Sequence, residues 1–267
     1  MALAFKTKWL NVVRAKKSQL CIGLDPAEHG QRANQTLPPD RNKVEWCLDF
    51  IKKVSPYAAA IKINRNFIKD LSRKETQKIC HYSHEHGMLT IDDAKLCDVG
   101  SSNHAGFYHA AQEGFDAITY SPFPGNIDEA TSHAHDVGLG IIVLILMSNP
   151  QFLPTKLSLI DGIPFFDYWC QHVIQAKADG VVIGAISPSN HLTPEQVSDV
   201  GSKLEEQLIL VPGLGEQDGD VRHHLKLFGN RSIINVGRAI LFASDVAQSA
   251  KNFNQYCNDI LRNESLR

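Results

Sequence analysis

The sequence predicts a (β/α)8 barrel, a closed ring of eight parallel strands that alternate with helices. Short runs rich in Ile, Val and Leu recur eight times, and longer amphipathic segments separate them. Within these runs apolar and polar residues do not alternate, which is typical of parallel strands covered on both faces. The length of 267 residues fits one barrel, since such domains have about 250 residues. A single domain is therefore expected over residues 1–267, and a doubly wound open sheet is the structural alternative.

The order of strands and helices can be assigned from these runs and from helix-end signals. Strands are expected at residues 20–24, 58–63, 88–93, 117–120, 140–146, 180–183, 208–211 and 233–236. Capping-box patterns at 72–75 and 193–196 mark two helix starts. Gly87, Gly114 and Gly138 follow helical patterns, as glycine does at many helix ends.

Three segments lie outside the regular repeat. Residues 1–19 predict an extra N-terminal helix that closes the bottom of the barrel. Residues 27–40, which include Pro38 and Pro39, predict an irregular loop insertion. The last helical pattern runs from about residue 239 to 261.

Composition and charge argue against several functional classes. The net charge is -2 and the pI about 6.6, so a nucleic-acid partner is not expected. No apolar run approaches the roughly 18 residues that a membrane span needs. Lys6 and Lys8 interrupt the N-terminal segment, which lacks the apolar core of a secretion signal. Six scattered cysteines contain no C-x-x-C pair, which predicts reduced thiols in a cytoplasmic protein without a zinc site.

Polar residues are concentrated where the predicted strands end. Because the C-terminal strand ends of such barrels lie on one rim, these residues are expected to converge there. They are Asp25 after the first strand, Lys62 and Asn64 at the second, Asp93, Lys95 and Asp98 at the third, Ser148 after the fifth, the glycine-rich segment 213–219 after the seventh, and Gly237 and Arg238 after the eighth.

The third strand carries the strongest chemical signal. Asp93 and Lys95 are two residues apart and therefore point to the same side of a strand, and Asp98 follows one short turn later. A lysine between two carboxylates is favoured in its ammonium form, which makes Lys95 a candidate proton donor. The alternative is a surface ion-pair cluster without catalytic function.

The last two strand ends predict a phosphate site. Gly213, Gly215 and Gly219 permit close backbone approach to a ligand. Gly237 and Arg238 open a helix, where backbone N–H groups favour an anion and a guanidinium matches phosphate oxygens. The alternative is that the glycines serve only tight turns.

These segments together resemble the orotidine 5′-phosphate decarboxylase family, and specifically its longer bacterial subgroup. The resemblance covers about residues 21–241, and its most specific segments are 93–100 and 211–217. Segments 115–125, 148–150 and 180–185 support it.

The resemblance implies a barrel that works as a homodimer and uses neither metal nor organic cofactor. It implies conversion of orotidine 5′-monophosphate to UMP and CO2, the last step of UMP synthesis. The family's alternating charged array falls on Lys62, Asp93, Lys95 and Asp98. Asp98 would come from the neighbouring subunit, together with Ser102, which stands where the family commonly has threonine.

The resemblance also implies substrate contacts. Asp25 matches the ribose-binding aspartate, and Ser148 matches the serine that contacts the pyrimidine. Gln217, on a mobile loop, and Arg238, next to Gly237, match the phosphate ligands. Asp218 departs from the usual glycine, and its carboxylate would repel a phosphate unless it points to solvent.

Two other functions remain as alternatives. A metal-dependent sugar-phosphate lyase, such as 3-keto-L-gulonate 6-phosphate decarboxylase, shares the Asp-x-Lys-x-x-Asp pattern. It would be expected to carry an acidic residue where this chain has Lys62. A catalytically inert barrel that binds a phosphorylated ligand is the third possibility.

Overall fold

Eight parallel strands form a closed barrel in chain order, which confirms the predicted fold class. The structure is a computed structural model that describes residues 4–34, 36–189, 192–215 and 219–264. The barrel strands are β1 Leu20–Gly23, β2 Ala60–Asn64, β3 Leu89–Leu96, β4 Ala117–Tyr120, β5 Gly140–Leu146, β6 Gly180–Ile183, β7 Leu208–Pro212 and β8 Ser232–Val236. All eight predicted strands are present, and β3 extends beyond its predicted end at residue 93 to Leu96.

Helices cover the outside and one end of the barrel. They are α1 Phe5–Lys16, α2 Lys43–Val54, α3 Arg73–Glu85, α4 Gly100–Gln112, α5 Ile127–Asp136, α6 Leu153–Leu157, α7 Phe165–Ala176, α8 Pro194–Lys203, α9 Arg222–Phe228, α10 Arg238–Leu241 and α11 Val246–Glu264. Both predicted capping boxes are formed, at Ser72 before α3 and at Thr193 before α8. No described helix has the length and hydrophobicity that a membrane span requires.

Two predictions at the level of elements are corrected. The final helix predicted over 239–261 is divided into α10 and α11, because Asp245 caps a new helix by accepting the Gln248 backbone N–H at 2.9 Å. A two-stranded antiparallel hairpin, Leu159–Ile160 with Ile163–Pro164, follows α6 and was not predicted.

Helix α1 closes one end of the barrel, as predicted for the N-terminal segment. Phe5, Trp9 and Val13 are spaced four residues apart and buried, and they share a cluster with the apolar residues of the barrel interior. The Trp9 indole N–H also donates to the Asn230 carbonyl at 2.9 Å. Ligands therefore have access to the barrel interior from the opposite end, where the strands terminate.

The barrel interior changes from apolar to charged along each strand. On β3, Leu89 and Ile91 lie in the interior cluster, and Asp93 continues the same alternate series. On β2, Ala60 belongs to that cluster and Lys62 follows it two residues later. The charged residues of the two strands thus form the layer directly above the apolar core.

Candidate active site

Three of the four predicted array residues meet at the C-terminal end of the strands. Asp93 Oδ2 accepts a hydrogen bond from Lys62 Nζ at 2.5 Å, and Asp93 Oδ1 accepts one from Lys95 Nζ at 2.6 Å. Lys62 and Asp93 are buried, whereas the Lys95 side chain is 39% exposed. The arrangement leaves one ammonium group, that of Lys95, facing the open end of the barrel.

The charges of this cluster stabilise one another. Burial alone would raise the pKa of Asp93, but attraction and hydrogen bonds from Lys62 and Lys95 lower it well below its usual range. Burial would likewise lower the pKa of Lys62, but Asp93 and Asp25 outweigh burial and raise it. Asp93 is therefore a carboxylate and Lys62 an ammonium ion at neutral pH.

The backbone of Lys95 has an unusual conformation that directs its side chain. Its φ of 49° lies in the left-handed region, and the pairing of β3 with β4 shifts in register between Asp92 and Leu96. A non-glycine residue in this region is strained and requires support from its surroundings. Bulges of this kind commonly redirect a side chain next to an active site.

Thr119 on β4 supplies that support, and sequence reasoning missed it. Its hydroxyl accepts the Lys95 backbone N–H at 2.9 Å and donates to Asp93 Oδ1 at 3.1 Å. The available signal was a hydroxyl side chain that faces the barrel interior on a largely apolar strand.

Asp98 and Ser102 do not join the cluster within this chain. Asp98 is exposed, and its carboxylate accepts the backbone N–H of the adjacent Val99 at 2.8 Å. Ser102 is exposed in the first turn of α4. Among the described residues Asp98 forms no ion pair, so it does not pair with Lys95 of its own chain.

Asp25 lies beside the second strand end and is contacted by the loop insertion. Its Oδ1 accepts the Asn64 backbone N–H at 3.4 Å, and its Oδ2 pairs with an Arg32 guanidinium nitrogen at 3.1 Å. The same guanidinium lies 4.2 Å from the ring centroid of Phe67. Arg32 of the loop insertion therefore lies at the predicted ribose site.

Gly184 allows the loop after β5 to approach β6 closely. A Cβ at Gly184 would lie 2.8 Å from Ser148 Cα and 3.0 Å from its nitrogen. A Cβ essentially never lies as close as 2.8 Å to a non-bonded backbone carbon, so a glycine is required for Ser148 to occupy its position. The Gly184 N–H also donates to the Leu146 carbonyl at 2.7 Å.

The predicted phosphate region is formed by the ends of β7 and β8. The Gly219 N–H donates to the Gly213 carbonyl at 3.2 Å and closes the base of the loop. Gln217 and Asp218 lie outside the described residues.

The end of β8 forms the second part of the predicted phosphate region. Gly237 precedes α10, which has four residues, and Arg238 is exposed at its start. Gly23 lies so close to Gly237 that a Cβ added to Gly23 would be 3.2 Å from the Gly237 Cα.

Potential metal ligands are dispersed in the parts of the chain that the structure describes. Within them no three His, Cys, Asp or Glu side chains are arranged to hold a metal ion. The residues that converge on the barrel mouth are instead lysines, carboxylates, hydroxyls and glycines.

Comparison with known protein families identifies the barrel. The model of the orotidine 5′-phosphate decarboxylase / HUMPS family matches residues 18–253. The chain belongs to this family. The resemblance inferred from segments 93–100 and 211–217 is thereby confirmed, as is the expectation of an enzyme of the decarboxylase class.

Relatives within the orotidine 5′-phosphate decarboxylase family match nearly the whole chain. The orotidine 5′-phosphate decarboxylase of Herpetosiphon aurantiacus is 31% identical over 249 residues, covering 90% of each chain. The protein of the same name from Janthinobacterium sp. is 28% identical over 257 residues, again covering 90% of each chain. The solved structure of Leishmania donovani OMP decarboxylase has a TM-score of 0.78 at 24% identity, covering 97% of this chain and 99% of that one, and supports the fold.

Proposed function

We propose that this enzyme decarboxylates orotidine 5′-monophosphate to UMP and CO2, the last step of UMP synthesis in the cytoplasm, without a metal or organic cofactor. The observation that carries the proposal is the cluster of Lys62, Asp93 and Lys95 at the mouth of a barrel of this family. Lys95 donates the proton that replaces CO2 at C6 of the pyrimidine.

The chemistry requires a fixed positive charge beside C6. Loss of CO2 leaves an electron pair in an sp² orbital outside the π-system of the ring, where the ring cannot delocalise it. A preorganised cation stabilises such a charge more effectively than water does. The half-buried Lys95 ammonium, held 2.6 Å from Asp93, meets this requirement and carries a transferable proton.

Asp93 and Lys62 keep that cation in position. Asp93 binds Lys95 through one carboxylate oxygen and Lys62 through the other, so rotation of the carboxylate would break both ion pairs. Asp93 lies beside the departing carboxylate in this arrangement, and its main function is to orient and polarise Lys95.

The remaining predicted residues bind the rest of the nucleotide. Asp25 contacts the ribose, Ser148 the pyrimidine, and Gly237, Arg238 and Gln217 the phosphate. The binding energy of the remote phosphate organises the site for reaction at C6. Asp25 exchanges its Arg32 contact for the ribose hydroxyls when the substrate enters.

A homodimer completes the array. Asp98 and Ser102 lie on the outer surface next to Val99, which is 59% exposed. Pairing of this face with a second copy covers the apolar Val99 side chain and brings Asp98 of one protomer to the Lys95 cluster of the other. The alternating sequence of charges is then Lys62, Asp93, Lys95 and the partner's Asp98.

The decisive experiment is decarboxylation of orotidine 5′-monophosphate by the purified protein, followed by loss of substrate absorbance with and without EDTA. Rapid turnover that EDTA does not affect is expected. EDTA-sensitive activity on a sugar phosphate would favour the metal-dependent lyase. Binding of nucleotide without turnover of either substrate would favour the inert barrel.

Replacement of Arg238 by alanine is expected to lower kcat/KM by about 10- to 100-fold, because a hydrogen bond to a charged group contributes about 1.5–3 kcal/mol. The melting temperature should change little, since Arg238 is exposed. Steady-state kinetics and thermal unfolding measure the two effects. Arg14→Ala, an exposed arginine on α1, is the control and should leave both unchanged. An unaltered kcat/KM in the Arg238 variant would refute its phosphate contact.

Replacement of Gly184 by alanine is expected to displace Ser148, because the new methyl group would lie 2.8 Å from the Ser148 Cα. A misplacement of about 1 Å costs roughly 100-fold in rate, and kcat/KM should fall accordingly. Gly201→Ala is the matched control, since its Cβ would lie 2.5 Å from a Leu227 methyl group between outer helices. That control should lose stability and keep kcat/KM. Equal kcat/KM losses in both variants would contradict the assignment of Ser148.

A further inference from the structure

One buried hydroxyl group connects the two central residues of the site. Thr119 is 1% exposed and bonds both the main chain of Lys95 and the side chain of Asp93. The inference drawn from it rests on the proposed function of the cluster, since it concerns how Lys95 is kept in place.

The first contact lies at the irregularity between β3 and β4. Asp92 pairs with Ile118 and Leu96 with Tyr120, so four residue steps on β3 are matched by two on β4. In this interval the Lys95 N–H donates to the Thr119 hydroxyl at 2.9 Å. The hydroxyl thus satisfies a backbone donor at the point where Lys95 has a φ of 49°.

The second contact uses the single proton of the hydroxyl. Because the oxygen accepts from Lys95, its proton is available to Asp93 Oδ1 at 3.1 Å, which is closer than the Asp92 carbonyl at 3.5 Å. The same Oδ1 accepts the Lys95 ammonium. The contacts therefore form a closed ring. It runs from the Lys95 backbone to the Thr119 hydroxyl, then to the Asp93 carboxylate, and back to the Lys95 ammonium.

We propose that Thr119 is a positioning residue that sets the location of the Lys95 ammonium relative to Asp93. Its hydroxyl holds Lys95 through the backbone N–H and holds Asp93 through the carboxylate. It needs no contact with the substrate. A hydroxyl is required at this position, and the methyl group of the threonine is secondary.

The test compares Thr119→Val, which keeps the shape and removes the hydroxyl, with Thr119→Ser, which keeps the hydroxyl. The valine variant should lose about 100-fold in kcat, the effect of roughly 1 Å of misplacement, while KM and UMP affinity change less than about threefold. The serine variant should retain kcat within about threefold. Thr131→Val, which removes a buried hydroxyl on α5, is the control and should keep kcat.

Hydrogen exchange of the Lys95 amide gives a readout that does not depend on turnover. Exchange should accelerate at least about tenfold in Thr119→Val and remain as in the wild type in Thr119→Ser and Thr131→Val. A wild-type enzyme inactive on orotidine 5′-monophosphate would refute the proposed function, and the exchange rates would still decide the role of Thr119. The proposed role of Thr119 would be overturned by any of three results. These are a wild-type kcat in Thr119→Val, equal losses of kcat in the valine and serine variants, or unchanged exchange of the Lys95 amide in Thr119→Val.

Discussion

Lys95→Ala is expected to abolish decarboxylation while the protein remains folded. General acid catalysis contributes about 10²–10⁴-fold and a fixed charge at the reacting atom about 10²–10³-fold, so the loss should be at least about 10⁴-fold. Folding should survive, because the Lys95 side chain is 39% exposed and Asp93 keeps its ion pair with Lys62. Turnover of orotidine 5′-monophosphate and circular dichroism measure the two effects.

The control for this variant is Lys177→Ala. Lys177 is also a lysine with a left-handed backbone, with φ of 56°, but it lies exposed at the C-terminal end of α7. The substitution therefore reproduces the backbone context of Lys95 away from the barrel mouth and should preserve activity. Decarboxylation by Lys95→Ala within about tenfold of the wild type would rule out Lys95 as the proton donor.

Asp93→Asn is expected to cost both activity and stability. The amide keeps the shape of the carboxylate but leaves the buried Lys62 ammonium without its closest counter-charge. Removal of one partner of a buried pair typically destabilises a protein by about 3–5 kcal/mol. Activity should fall with it, because Lys95 loses the group that orients its ammonium. Denaturant unfolding and steady-state turnover measure the two losses.

The stability loss of Asp93→Asn should depend on pH in a defined direction. In the wild type burial lowers the pKa of Lys62, but Asp93 and Asp25 outweigh it and leave that pKa raised. Without Asp93, burial dominates and the pKa of Lys62 falls below that of the unfolded chain. A charged Lys62 then destabilises the fold, and the penalty disappears as rising pH removes its proton. The deficit should be large at pH 7 and smaller at pH 9.5.

Asp167→Asn is the matched control for this prediction. Asp167 pairs with Lys203 between two outer helices, and the Lys203 side chain is partly exposed. An ion pair of this kind contributes at most about 1 kcal/mol, so the control should lose little stability and no activity. Equal losses of stability in the two aspartate variants, or a deficit in Asp93→Asn that grows from pH 7 to pH 9.5, would contradict the proposed charge balance.

The barrel could be predicted because its signals are local and repeated. Buried parallel strands produce apolar runs, and capping boxes at Ser72 and Thr193 mark helix starts without reference to tertiary structure. The proximity of Lys62 to Asp93 also followed from topology, since the ends of adjacent parallel strands meet on one rim.

The features that were missed depend on contacts distant in the sequence. The left-handed backbone of Lys95 and its bond to Thr119 arise from the register of β3 against β4, which residue patterns do not encode. The division between α10 and α11 had a local signal in Asp245, but apolar periodicity continued through it and obscured the cap. Asp98 does not join the other array residues within this chain, and its assignment to a partner subunit stays a prediction.

The helix that closes the far end of the barrel has an electrical consequence for the site. Trp9 and its neighbours on α1 seal the apolar layer beneath Lys62 and Asp93, so that bulk water reaches these charges from one side only. The apolar layer has low polarizability and screens the charges above it poorly. The field of the Lys95 ammonium at the open mouth is consequently stronger than it would be with water on both sides. Helix α1 keeps water away from the lower side of the charged layer. A helix far from the reacting atoms therefore contributes to the electrostatic potential at those atoms.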